Sequence, residues 1–255
     1  MTQIVYKHLR DTKNIGDLSC SPYDYIPYEG AKVADYRTDG PEADVIIYGG
    51  GQIFGGLRRN AGPIDRRAAL KIGWGIGTNR STPFSIRKLI DTRFLDLIGT
   101  RDYGVDAFAY APCASCMSDL FDRDYEVEHD VVFYGHAQRS IGVNLARDPS
   151  IPWLTNESDS LATAIAFLGS AETVVSNSYH GVYWSLLLGK KVLCVPFSDK
   201  FRHYRLPPGY STPENWPQEL AKAQRQDEML SLSRAATLDF DKKVRARIQD
   251  SFGQD

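Results

Sequence analysis

Short β-branched runs that stop in glycine alternate with helical spacings along most of the chain. Ala43-Asp44-Val45-Ile46-Ile47-Tyr48, halted by Gly49-Gly50-Gly51, has the form of a buried parallel strand ending in a glycine loop. Gln3 to Lys7 is a weaker strand, Lys71 to Gly77 a third and Phe94 to Thr100 a fourth, with a helix expected before each of the last two. This alternation predicts an α/β half with a parallel sheet. From Phe121 to Asp130 the chain turns acidic and poor in aliphatics, which marks a connection between domains. The pattern then restarts. Val131 to Gly135 and Ser140 to Leu145 are expected strands, and Ser158 to Leu168 a helix with Leu161, Ile165 and Leu168 on one face. Thr173 to Ser176 and Lys191 to Pro196 are further strands around a helix from about Tyr179 to Leu188. Two halves, 1–122 and 131–225, are thus expected to face each other across a cleft, each with right-handed crossovers. The polar, Arg- and Lys-rich stretch from Glu214 onward is expected to be helical, with 226–255 as a separate, solvent-exposed C-terminal segment. No internal repeat or low-complexity segment interrupts this order.

Composition changes the picture mainly by exclusion. With 42% hydrophobic and 24% charged residues in 255, the chain has the makeup of a folded soluble domain and not of a disordered or fibrous one. A net charge of −2 supplies no global basic field, so nucleic acid is not an expected partner. No run approaches the roughly 18 apolar residues of a membrane span, and the N-terminus lacks a basic and an apolar signal region. A cytoplasmic location with at most peripheral membrane contact is expected. Four cysteines are too few for a disulfide scaffold. Cys113-Ala114-Ser115-Cys116 has a zinc-like spacing, but Cys20 and Cys194 stand alone and no Cys/His pair completes a tetrahedral set, so packed thiols in a loop and no metal are expected.

Candidate chemistry gathers at the expected strand ends, where open α/β sheets bind ligands. Asn14-Ile15-Gly16-Asp17 is either a ligand loop or a turn with an Asp cap. The glycines at 49–51 either bring backbone N–H groups to an anion or allow close chain packing; they match neither a dinucleotide fingerprint nor a triphosphate loop. Arg101-Asp102 offers a forked guanidinium for a carboxylate or phosphate, or a plain ion pair. In Val174 to Gly189 a strand delivers Ser176, Asn177 and Ser178 to a turn, and His180 and Gly181 open a helix whose N-terminus favours an anion. An imidazole there suits acid–base work on an anionic substrate, against the alternative of a packing histidine. Lys200, Arg202 and Arg205 form a basic cluster expected on the same sheet edge as His180, or a solvated basic face. Tyr179, Tyr183 and Trp184 are candidates to touch a sugar, with Trp184 alternatively bracing the helix.

Taken in order, Asn14-Ile15-Gly16-Asp17, Gly49-Gly50-Gly51, Trp74-Gly75-Ile76-Gly77, Arg101-Asp102, Ser178-Tyr179-His180-Gly181, Gly189-Lys190-Lys191 and Asp199-Lys200 resemble the polysaccharide pyruvyl transferase family over roughly residues 10 to 205. The chain is short for that family, Tyr179 stands where an Arg or Lys is often found, and 111–116 replaces an Asp-Pro type loop. The resemblance implies two Rossmann-like domains with parallel sheets facing a cleft, a GT-B-like fold. It also implies transfer of pyruvate from phosphoenolpyruvate onto two hydroxyls of a sugar, giving a cyclic ketal in polysaccharide biosynthesis. The donor substrate is then phosphoenolpyruvate, with no other cofactor, and the acceptor a glycan, usually lipid-linked. By the same token His180 is the acid–base residue, and Arg101 and Lys200 hold the anionic groups. Asn14, Asp17, Gly50, Gly51, Ser178, Gly181 and Arg202 complete the expected substrate site. A glycosyltransferase using a nucleotide-sugar on the same frame is the alternative, and a non-catalytic glycan-binding subunit a further one.

Overall fold

A computed structural model of the chain describes residues 2–77, 94–140 and 148–253. They fall into two compact units, one from Met1–Thr12, Asp17–Met117 and Ser233–Asp255, the other from Lys13–Gly16 and Ser118–Leu232.

The first unit carries strands β1 (Ile4–His8), β2 (Lys32–Asp35), β3 (Val45–Gly49), β4 (Leu70–Ile76), β5 (Leu97–Thr100) and β6 (Ala109–Tyr110), all parallel, in the order β2-β1-β3-β4-β5-β6. Short helices α1 (Ile15–Leu18), α2 (Leu57–Asn60) and α3 (Pro63–Arg67) lie between them, the first straddling the division between the units. Every residue of β3 is buried, as a central parallel strand requires. Its alternate side chains feed two cores. Val45 and Ile47 join Tyr6, Ile72 and Trp74, while Ile46 and Tyr48 join Ile53, Phe54 and Leu57. Through the middle runs a buried polar network: the Lys7 ammonium pairs with Asp65 and donates to the carbonyls of Thr38 (2.7 Å) and Asp39 (3.0 Å), and Tyr48 donates to the other Asp65 oxygen at 2.9 Å. The long helix Met229–Phe252, α6 here, puts Phe240 and Val244 into the Tyr6–Trp74 core, and its Asp241 accepts from Tyr28 at 2.8 Å.

The second unit carries β7 (His129–Gly135), β8 (Trp153–Thr155), β9 (Ala171–Ser176), β10 (Lys191–Cys194) and β11 (Gly209–Tyr210), again all parallel, in the order β8-β7-β9-β10-β11. Numbered within its own unit, this order is 2-1-3-4-5, and the first sheet repeats it with one strand more. Helix α4 (Leu161–Gly169) is capped by Ser160, whose hydroxyl accepts from the Thr163 amide at 3.0 Å. Helix α5 (Tyr179–Leu187) is buried at all nine positions and packs on β9 and β10, consistent with its apolar circumference. Gly181 lets it sit close: a Cβ there would overlap the Tyr134 ring and stand 2.5 Å from the Ser176 hydroxyl. On the other face Phe133, Val175, Leu193 and Trp216 form a core, with Phe133 stacked on Trp153 at 3.9 Å.

The expected α/β character with two parallel, Rossmann-like sheets holds. Several expectations need correction. The acidic stretch is not the connection, because the division falls between Met117 and Ser118. Tyr125 lies against Gly169 at the end of α4, its hydroxyl donating to the Leu120 carbonyl at 2.8 Å, so this stretch belongs to the second unit while its acidic side chains face water. The C-terminal residues are no separate exposed segment: α6 buries one stripe in the first unit, and it begins at Met229, preceded by 3₁₀ turns at Trp216–Gln218 and Leu220–Lys222. β2, β6, β8 and β11 were not expected; they are short, and none is a run of fully buried residues. The expected helix before Phe94 and the strand over 140–145 lie, wholly or nearly so, outside the described residues.

The Lys7–Asp65 pair predicts a large mutational cost. Asp65→Ala leaves a buried ammonium without its carboxylate, and guanidinium unfolding is expected to show a loss of about 3–5 kcal/mol.

Candidate functional site

In each sheet the first strand lies between the second and the third, so the chain reverses direction across the sheet. The crevice outside the carboxyl ends of the strands flanking such a point is where open α/β sheets place ligands. The two switch points are β1/β3 in the first unit and β7/β9 in the second.

At the first, β3 runs into Gly50 and Gly51, both left-handed with φ of 67° and 69°. The Gly50 amide donates to the Trp74 carbonyl at 3.0 Å, and Gly51 accepts from the Gly77 amide at 2.9 Å. A Cβ at Gly50 would overlap the Cys20 thiol, and one at Gly49 the Pro22 ring. Of the two readings of these glycines, the structure displays close packing, and the Gly50 amide is engaged by protein. The Asp17 carboxylate lies beside Gly51, and the Asp17 carbonyl accepts from the Cys20 thiol at 2.9 Å. Arg101 is buried, its guanidinium laid over the backbone of Gly77 and close enough to Cys20 and Cys113 to act on their thiols. It is therefore no surface ion pair. Burial nevertheless dominates and pushes both thiols up, away from thiolate. Cys116 sits in a buried 3₁₀ turn, Ala114–Met117, directly after the buried Cys113, and meets the Thr237 hydroxyl of α6 at 3.3 Å; all four cysteines are buried thiols outside any disulfide. Among the described residues no group of three His, Cys, Asp or Glu side chains is placed to hold a metal ion.

At the second switch point the turns after β7, β8 and β9 are tied together by two asparagines. Asn177 accepts from the His136 amide at 2.7 Å, and Asn156 from the Ala137 amide at 2.7 Å. The Asn156 carbonyl in turn accepts from the Ile15 amide at 2.8 Å, while Asn14 accepts from the Gly16 amide at 3.0 Å, so Asn14 acts as the turn residue of its own segment. Gly16 then lies flat on the His180 ring, which a Cβ at position 16 would overlap. His180 is only 4% exposed, with Trp184 beneath it at 5.3 Å and Tyr179 edge-on at 5.5 Å. Ser178 is the N-cap of α5 without a side-chain capping bond, and its amide donates to the Ser176 hydroxyl at 3.0 Å. The expected sugar-facing aromatics are corrected: Tyr179, Tyr183 and Trp184 are all buried, Tyr179 stacked between Tyr183 and Tyr204, and Trp184 is the brace.

The basic cluster divides. Lys200, on the 3₁₀ turn Asp199–Arg202 after β10, is buried with its ammonium 4.7 Å from the Phe197 ring centre and 5.2 Å from that of Phe201. Arg202 is exposed and lines a separate groove of about 450 Å³ with Tyr210, Ser211, Glu219 and Lys222. Two residues escaped the sequence reading. His136, directly after β7, meets Phe197 edge-on at 5.6 Å, and the Arg139 guanidinium lies 5.5 Å over the same ring. Their signal was available: His136 follows the expected strand Val131 to Gly135 immediately. His8, the last residue of β1, stands at the first switch point.

Among the described residues no helix is long and apolar enough to cross a membrane. The sequence matches no protein-family model and no curated protein.

Burial lowers both switch-point histidines to about 4, helped at His8 by Arg10 and at His136 by Lys200 and Arg139. The unfolded chain takes up these protons near pH 6.5 and the folded one resists until about 4, so the unfolded state binds more protons between those values. Stability is therefore full above pH 6.5 and falls as pH drops toward 4. Urea midpoints measured from pH 7 to 4.5 are expected to decline, and to decline less in His8→Asn.

Proposed function

We propose that the chain transfers pyruvate from phosphoenolpyruvate onto two hydroxyls of a glycan, its two Rossmann-like units acting as the halves of a GT-B-like enzyme. The observation that carries this reading is the placement of His180 and Lys200. Both are buried, His180 in the first turn of α5 and Lys200 on the 3₁₀ turn, just beyond the carboxyl ends of the neighbouring parallel strands β9 and β10.

The reaction needs those two chemistries. The donor's methylene carbon gains one proton, the two acceptor hydroxyls lose one each, C2 forms two C–O bonds, and phosphate departs with the remaining proton. In this reading Lys200 neutralises charge on the donor. His180 moves the proton, its ring held between Gly16 and Trp184 so that little side-chain freedom remains to be lost. Ser178 and the start of α5 orient the donor, with the dipole end of the helix favouring its negative charge. Asn14 and Asp17 support the loop, and Asp17 stays beside the glycine turn.

Calorimetry with phosphoenolpyruvate and a panel of nucleotide-sugars separates this reading from its rival. Saturable phosphoenolpyruvate binding that weakens in Lys200→Met and persists in His180→Ala is expected. Binding of a nucleotide-sugar alone replaces pyruvyl transfer with glycosyl transfer. Acceptor-dependent phosphate release is expected to fall about 10²- to 10⁴-fold in His180→Ala. Gly16→Ala should lower that release while sparing donor affinity, because the new methyl displaces the His180 ring. An unchanged rate in Gly16→Ala would separate the ring's position from the chemistry.

A further inference from the structure

Around Phe197, at the carboxyl edge of the second sheet, three basic side chains from two separate turns converge on one ring. Lys200 and Phe197 come from the segment after β10, and His136 and Arg139 from the segment after β7. Phe197 is 37% exposed, so the ring forms a wall open to solvent and not a core contact. The Asn177 carbonyl oxygen holds the turn by accepting from the His136 amide (2.7 Å), and its amide donates to the Ser140 hydroxyl at 3.1 Å. With the His136 and Ala137 amides both taken by asparagine side chains, the turn has side chains left to offer a ligand. The His136 Nδ1 atom is buried and makes no hydrogen bond among the described residues.

We propose that Lys200, Arg139 and His136 form an anion subsite at the β7/β9 switch point that takes a phosphate group. The ammonium supplies a fixed charge steered by the Phe197 and Phe201 rings, the guanidinium a two-pronged donor, and the imidazole a further hydrogen bond to a phosphate oxygen. Among the described residues the charged groups that face His136 are Lys200 and Arg139, and their repulsion adds to burial in keeping the ring neutral. A bound dianion cancels that repulsion, so occupancy and protonation of His136 favour each other. Assigning this seat to the donor's phosphate rests on the pyruvyl-transfer reading. The subsite itself rests only on these side chains.

The test follows the His136 imidazole resonance in histidine-labelled protein, identified with His136→Gln, while inorganic phosphate is added at constant ionic strength. A saturable shift is expected, with the titration midpoint of His136 moving up from about 4. Arg139→Gln, which alters an exposed side chain, and Lys200→Met, which keeps the aliphatic stem over the rings, are each expected to weaken phosphate at least about tenfold, the loss of one hydrogen bond to a charged group. A shift that chloride reproduces, or a phosphate affinity unmoved in Arg139→Gln, overturns the subsite. Phosphate binding in a protein that never releases phosphate from phosphoenolpyruvate retains the subsite and removes only the pyruvyl-transfer reading.

Discussion

Every pairing between named strands in both units is parallel, and this one constraint arranges everything else. A parallel sheet sends each strand back through a crossover, so all strands end at one edge and all turns leaving them gather there. With the order 2-1-3-4-5 in both sheets, the first and third strands of each unit open a crevice at that edge. His8 and the glycines at 49–51 stand at one such crevice, and His136, Asn177 and Ser178 at the other. Residues more than 40 positions apart thus become neighbours through strand pairing alone, as His136 and Asn177 do.

Burying both faces of a sheet makes unsatisfied polar groups costly, and the chain lowers that cost in two places. Within the first unit the Lys7 ammonium sits among two carbonyls and the Asp65 carboxylate, which also takes the Tyr48 hydroxyl. A buried pair of this kind adds little net stability over an apolar core but penalises loss of either partner heavily. It links β1, β3 and α3, and so holds the first and third strands around their switch point. Within the second unit Asn156 and Asn177 play the corresponding role with neutral groups, each capping one amide of the turn after β7. Each bond spares a part-buried amide the cost of going unsatisfied. From this turn His136 and Arg139 meet Lys200 across the Phe197 ring.

His136 and His180, both in the second unit, occupy different environments. His180 is clamped between a glycine backbone and an indole, with almost no exposed surface. His136 is half-buried beside two cations. The first environment fixes geometry, and the second ties protonation state to local charge. Gly16 and Gly181 serve the first: one admits the ring above the turn, the other lets α5 approach the sheet on Tyr134 and Ser176.

The strand–helix alternation and its central strands were legible in the order of residues, because β-branched runs ended by glycine and helices with periodic apolar faces are local properties. Val45 to Tyr48, Val131 to Gly135, Thr173 to Ser176 and the helix around Val182 fall where those patterns place them. The edge strands β2, β6, β8 and β11 carried no such pattern, since a strand of two to four residues owes its existence to the neighbour it pairs with. The polar α6 looked solvent-exposed, yet Met229, Ser233, Thr237, Phe240 and Val244 line up as a buried stripe. The placement of His180 and Lys200 on one sheet edge could be inferred from strand ends. The burial of Lys7 against Asp65, the Asn177 tie to His136 and the Phe197 gathering of His136, Arg139 and Lys200 depend on which strands become neighbours. That follows from crossovers and close packing across the whole sheet, which no local run of residues encodes.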